Sequence, residues 1–221
     1  LEGSSRSGPM YKRGKDYAKK IRVRISGTKA DRAIVFSDEG IGQPPSRLHS
    51  TILSLGGDNK VKERYLIGMW GQGGSSALAA SQFTWIVSRS AAQLADAEDD
   101  VAWTIVREID PPDSRRPFYA YLAASPTGEV PAISATTANK IGFEHGTLIW
   151  HVGFDLGNVD VTRLYQAMNH VLPNPILPFD ICTKAEDYDT CWGVGYNLAR
   201  ATARKRTNLD KKFPGVELLK E

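Results

Sequence analysis

Short apolar segments arriving in adjacent runs constrain this chain more than any other feature. In "KIRVRIS", Ile21, Val23 and Ile25 alternate with Arg22 and Arg24, the period of a half-buried strand. "GTKAD" supplies a turn, and "RAIVFS" follows as a second, more fully buried strand, so the pair reads as a hairpin. Further strands are predicted at "FTWIVSRS" (83–90), at the alternation of Val101, Trp103 and Ile105, and at "FYAYLAA" (118–124). In "GTLIWHVGFDL" (146–156), Leu148, Trp150, Val152 and Phe154 alternate. Helices are fewer. "PPSRLHSTILSLGG" predicts one that starts at the prolines with Ser46 as N-cap, spaces Leu48, Ile52 and Leu55 along one face, and stops at Gly56-Gly57. A small-residue helix is expected from about Ser75. Another, over 161–172, is capped by Asp160 and lines up Val161, Leu164, Tyr165 and Met168. Strands in adjacent runs argue for an α+β fold, a two-layer α/β sandwich with a mixed, mostly antiparallel sheet and helices on one face.

The 221 residues suffice for one large domain, with 41% hydrophobic and 24% charged residues, as in ordinary globular chains. A net charge of +3 is too small to imply a nucleic-acid partner by itself. No apolar run approaches the ~18–20 residues of a membrane span, so no membrane partner is expected. The two cysteines, Cys182 and Cys191, make no disulfide framework, and a cytoplasmic location is expected. Residues 1–9 read as a linker, 10–199 as the folded domain, and 200–221 as a basic tail or link to a following domain.

Two glycine-rich stretches need an explanation. "SDEGIGQ" (37–43) places Asp38, Gly40 and Gly42 at the end of the second strand. It reads either as a turn capped by Asp38, or as a carboxylate that accepts a hydrogen bond from an exocyclic amine while the glycines let a flat ring approach the backbone. Gly68-Met69-Trp70-Gly71-Gln72-Gly73-Gly74 precedes the expected helix at Ser75. It reads either as a tight structural turn or as a phosphate cradle of backbone amides at a helix N-terminus. It is neither a P-loop, lacking the Lys-Ser or Lys-Thr, nor a Rossmann fingerprint, lacking the βαβ unit. Gly146-Thr147 opens the last strand and alone says little. His49, His145, His151 and His170 show no metal spacing, and no G-x-S-x-G nucleophile elbow is present.

Taken together, DEGIG, the GMWGQGG run and the late GT resemble the motifs of the GHKL ATPases, the family of DNA gyrase B, Hsp90, histidine kinases and MutL, with the MORC ATPases close by. The resemblance spans roughly 20–155 and implies the Bergerat-type ATP-binding fold. It implies that Asp38 binds the adenine amine, with Thr147 helping through a water. Gly40 and Gly42 would line adenine and ribose, and the amides of Gly71, Gln72, Gly73 and Gly74 would face the phosphates. Lys60 would reach the phosphates from a lid hinged at Gly56-Gly57 and Gly68. ATP and Mg²⁺ are the implied ligands. Nucleotide-driven lid closure and homodimerisation, with a client protein or nucleic acid as partner, are the implied activity of the larger protein.

The sequence departs from the family in two places. Gln43 stands where relatives carry a methionine that packs on the base. The family's first motif, a helix before the first strand with a catalytic Glu and an Mg²⁺-holding Asn, has no counterpart in "MYKRGKDYAKK" (10–20). Either that helix lies upstream of Leu1, or the chain does not hydrolyse ATP efficiently; no catalytic base is nameable. Besides an ATPase domain, the residues therefore admit a non-hydrolysing ATP-gated binding module, or a nucleic-acid-binding module using the basic run 200–212.

Overall fold

The structure, a computed structural model, describes residues 9–28, 31–54, 77–92, 100–113, 116–140, 142–155, 157, 159–172, 175, 177–184 and 187–197. Helices α1 (Pro9–Ala18), α2 (Pro45–Leu48), α3 (Ala135–Lys140) and α4 (Val161–Val171) accompany nine strands among these residues. The strands are β1 (Ile21–Ser26), β2 (Ala33–Asp38), β3 (Phe83–Arg89), β4 (Val101–Ile109), β5 (Phe118–Tyr121), β6 (Ala132–Ile133), β7 (Gly146–Val152), β8 (Phe179–Lys184) and β9 (Asp187–Cys191). The fold is α+β with a large, mostly antiparallel sheet and a few helices, the class the strand-rich pattern predicts. Among the described residues no helix is long and apolar enough to cross a membrane.

The chain divides into two compact units, Val23–Asn158 and Leu1–Arg22 with Val159–Glu221. In the larger unit the strands run β5-β4-β3-β7-β2-β1, with β6 beside β4. β7 is central: it pairs antiparallel with β2 on one side and β3 on the other. Two segments far apart in sequence thereby come into one register, with Ile34 opposite His151, Phe36 opposite Ile149 and Asp38 opposite Thr147.

Successive residues of a strand face opposite ways, so these registers sort the side chains. One face carries Ile86, Ala102 and Val106, which form a buried core with Leu48 of α2 and Val130. Leu53, Leu78, Tyr121 and Ile149 pack against it. Hydroxyls and an imidazole share this face: Thr84, Ser88, Thr104, Thr147 and His151 are all buried. The opposite face carries the residues whose alternation marks the strands in the sequence. There Trp85 stacks on Trp103, with ring centroids 5.7 Å apart. Trp150 is 43% exposed, although its place in the alternation reads as core. Burial thus favours the partly polar face, because that is the face α2 covers.

Two helices differ from expectation. α2 ends at Leu48, and its N-cap is Pro44, which has no side chain to donate or accept, rather than Ser46. The Ser50 and Thr51 hydroxyls both donate to the Arg47 carbonyl, at 3.0 and 2.8 Å. Such local bonds compete with continuation of the helix, and the chain runs on in turns. The expected small-residue helix is only a 3₁₀ turn, Leu78–Ala80, in its described part; Ser81 is already extended and its hydroxyl donates to the Leu78 carbonyl.

In the smaller unit α4 starts as expected: the Asp160 carboxylate accepts from the Arg163 amide at 2.7 Å. Val161, Leu164, Tyr165 and Met168 are its half-buried stripe. β8 and β9 form an antiparallel hairpin that sets Cys191 opposite Phe179 and Cys182 opposite Tyr188, so the thiols do not face each other. Asn169 joins the elements here. Its side-chain oxygen accepts from the Trp192 amide at 3.2 Å and from Asn197 at 3.1 Å, and its side-chain nitrogen donates to the Tyr165 carbonyl.

Candidate functional site

The candidate site sits in the larger unit, where β2 ends and β7 begins. The Asp38–Thr147 register brings the first and third glycine motifs side by side. From Asp38 the chain leaves the sheet through Glu39-Gly40-Ile41-Gly42-Gln43 before α2. Three of its five residues are tied down by hydrogen bonds. The Gly40 amide donates to Asp38 Oδ1 at 2.8 Å. The Gly40 carbonyl lies 2.8 Å from His145 Nδ1, and since a carbonyl only accepts, that nitrogen carries the proton. The Ile41 carbonyl accepts from the Ala91 amide at 2.9 Å. The Gln43 amide donates to Ser88 Oγ at 2.9 Å.

Two glycines are required by this packing. Gly42 has φ +61° and is buried; a Cβ there would collide with the carbonyl oxygen of Arg89. Gly146 has φ +109°, and a Cβ would collide with the carbonyl oxygen of Asp38. Both positions combine a left-handed backbone with close approach of another main chain, which only glycine tolerates without strain. The backbone therefore accounts for Gly42 and Gly146 without a ligand.

It does not account for Asp38 in the same way. Burial pushes its carboxyl above the ordinary carboxylate value of 3.8. The amides of Gly40 and Thr147 and the charge of His145 oppose that shift without cancelling it. Among the described residues no ion pair reaches the carboxylate. A carboxylate has about four acceptor sites and the two amides take two, so a half-buried one can still accept an incoming N–H. Thr147 beside it is 9% exposed, and its hydroxyl lies 3.1 Å from Ser88 Oγ.

Behind the loop, Arg89 ends β3 at 4% exposure. Its guanidinium donates to Asn139 Oδ1 at 2.8 Å and to the Phe143 carbonyl at 2.7 Å, bracing α3 and the turn that leads to His145. These two bonds tie the end of β3 to α3 and to the turn before His145.

Of the residues the sequence points to, Asp38, Gly40, Gly42 and Thr147 are thus brought together. Lys60, Gly68, Gly71, Gln72, Gly73 and Gly74 lie outside the described residues, as do Trp70, the hinge at Gly56-Gly57 and the basic run 200–212. Gln43 contributes its backbone amide, and Glu39 is exposed. Sequence reasoning missed Ser88, Arg89 and His145. Only His145 carried a signal, by directly preceding Gly146; Ser88 is marked by the register that sets it opposite Thr147, which the sequence does not show. A scan against models of known protein families finds no match, and no curated protein matches the chain.

Proposed function

We propose that the chain is an ATP-binding domain of the GHKL type, working within a larger nucleotide-switched protein, and that the Asp38 carboxylate accepts the adenine amine. The observation that carries this is the pairing of Asp38 with Thr147 at one end of adjacent strands, with the carboxylate partly desolvated. A glycine-built loop on one side and a hydroxyl on the other suit a flat, amine-bearing ring. The order of elements supports it too: hairpin, α2, a glycine-rich segment, then the strands that lead to Gly146-Thr147. Phosphates fall to the Gly68–Gly74 run and Lys60 on the resemblance alone, and no described residue is assigned to Mg²⁺. A cytoplasmic setting and nucleotide-driven dimerisation belong to the same proposal.

Thermal unfolding with and without Mg-ATP tests it. With a Kd on the order of 100 μM, 1 mM ATP adds about 1.4 kcal/mol of stability. For a domain of this size that raises Tm by about 3–6 °C. Asp38→Asn, which replaces an acceptor with a donor toward the amine, abolishes the shift. An intact chain whose Tm is indifferent to ATP overturns the proposal.

A second reading has its own observation. Helix α1 precedes β1, the place in the chain order that the family gives to its catalytic helix, yet its sequence PMYKRGKDYA has neither Glu nor Asn. That favours a module that binds nucleotide without turning it over. Binding with no phosphate release above background selects it; steady turnover by this chain rejects it.

A further inference from the structure

Ser88 is a fully buried serine that bonds both the candidate site's loop and the start of β7. Its Oγ accepts from the Gln43 amide at 2.9 Å, which holds the far end of the Asp38–Gln43 loop. It lies 3.2 Å from the Gly146 carbonyl and 3.1 Å from Thr147 Oγ1, which ties β3 to the start of β7. Like the Asp38 carboxylate, which takes the Gly40 and Thr147 amides, it joins the loop to the Gly146-Thr147 step.

A serine hydroxyl has one proton, and here two acceptors compete for it. The Gly146 carbonyl can only accept. When Ser88 donates to that carbonyl, the Thr147 hydroxyl supplies the proton of the Ser88–Thr147 bond and turns a lone pair outward. When Ser88 donates to Thr147, the Thr147 proton is released to point outward instead. The two distances are nearly equal, so neither arrangement is favoured by length. Rotation of two buried hydroxyls therefore lets Thr147 present either an acceptor or a donor beside the Asp38 carboxylate, with no movement of backbone.

We infer that Ser88 is a positioning residue of the site: it fixes the loop and the Gly146-Thr147 step against each other, and by donating to Thr147 it holds the Thr147 proton outward for a ring-nitrogen acceptor of the purine. The inference rests on the nucleotide-binding proposal for its ligand. It extends that proposal to the choice of base, because adenine's edge beside the amine presents a ring-nitrogen acceptor, whereas the matching edge of hypoxanthine presents a carbonyl and an N–H.

Ser88→Ala and Ser88→Thr, each compared with the parent for binding of ATP and of inosine triphosphate, test it. Loss of one oriented hydrogen-bond relay weakens ATP binding in Ser88→Ala by roughly tenfold. Inosine triphosphate changes little, because its ring N–H needs only a Thr147 lone pair, which either arrangement offers, so discrimination between the two collapses; Ser88→Thr, which keeps the hydroxyl, restores it. A merely structural role weakens both nucleotides alike, and that result overturns the inference. Hydrogen exchange of the ligand-free proteins gives a second readout that needs no nucleotide. The amides of 39–43 exchange faster in Ser88→Ala than in the parent, and unchanged exchange overturns the positioning role. If the parent binds neither nucleotide, the functional proposal has failed, and the exchange measurement alone still decides whether Ser88 holds the loop.

Discussion

Across β7, β3 and β4, one face of the sheet is buried and partly polar, and the other is apolar and partly exposed. Thr147, Ile149 and His151 of β7 meet Thr84, Ile86 and Ser88 of β3 on the first face, with Ala102, Thr104 and Val106 of β4 beyond. Leu148, Trp150 and Val152 meet Trp85 and Val87 on the second, with Trp103 and Ile105 beyond. A core built only for stability would bury the tryptophans and expose the threonines. Here the covered face instead leads to the candidate site: Asp38, Ser88 and Thr147 are its last polar members at one end. Hydroxyls are tolerated in this core because each has a partner, another hydroxyl, an imidazole or a main-chain carbonyl, and the same habit extends to where a ligand is proposed to enter.

Cutting one methyl-rich side chain from each face should separate the two most clearly. Ile86 is 4% exposed within the buried cluster. Ile86→Ala is expected to cost about 2–5 kcal/mol, read from the midpoint of urea unfolding. Val87, its neighbour on the half-exposed face, is expected to cost less than about 1.5 kcal/mol when changed to alanine. Equal losses would mean that the two faces are equally part of the core.

Next in size is the buried polar chain on the first face. Thr84 Oγ1 lies 2.8 Å from His151 Nδ1 and 3.1 Å from Ser81 Oγ. Thr84→Val keeps the shape and strands the imidazole nitrogen, at an expected cost of about 1–3 kcal/mol. If the variant unfolds like the parent, these bonds do not stabilise the face.

His151 sharpens the same point by pH. It is 4% exposed, between Phe36 and Phe154, and burial lowers its pKa below 6.5. The folded protein therefore holds it neutral at a pH where the unfolded chain takes up a proton. Its contribution is fully present above 6.5, falls as the pH drops below that value, and levels off once the folded-state pKa is passed. Unfolding free energies at a series of pH values, compared between the parent and His151→Gln, check this. The variant's profile is flatter just below pH 6.5; identical slopes would show that the imidazole titrates as freely folded as unfolded.

These features also mark how far the sequence could be read. Strand positions were legible because alternation is local: the runs containing Val23, Ile34, Ile86, Val101 and Leu148 all lie in strands. The Asp160 cap was legible for the same reason. Which face is covered was not, since that depends on where α2 lands, and the alternation of Trp103, Ile105 and Trp150 points to the less buried side. The β8–β9 hairpin went unread although Phe179, Ile181, Tyr188 and Thr190 alternate through it, because its polar residues dilute the pattern. At the site, Asp38, Gly40, Gly42 and Thr147 were legible through motif spacing. Ser88 was not, because a serine in a strand acquires its role only from the register that sets it opposite Thr147.

The smallest expected effect lies at the end of the polar face, and it has the opposite sign. Burial raises the Asp38 pKa in the folded protein above the value of 3.8 that the unfolded chain retains. A raised carboxyl stabilises the fold only where it keeps its proton. That contribution is present below the unfolded value and is lost as pH rises through the folded one, so near neutrality the ionised carboxylate works against folding. Asp38→Asn removes the charge and keeps an oxygen that can accept from the Gly40 amide at the same place. The ligand-free variant is therefore expected to be more stable than the parent at pH 7, by less than Thr84→Val loses. The gain shrinks to nothing as the pH falls below 3.8. Paired denaturant titrations at neutral and acid pH read both ends. A stabilised variant that has also lost its response to ATP would show that Asp38 is held ionised for a ligand at the expense of the fold. A variant destabilised at pH 7 would show instead that the carboxylate is a structural cap, and that the polar face is organised for stability along its whole length.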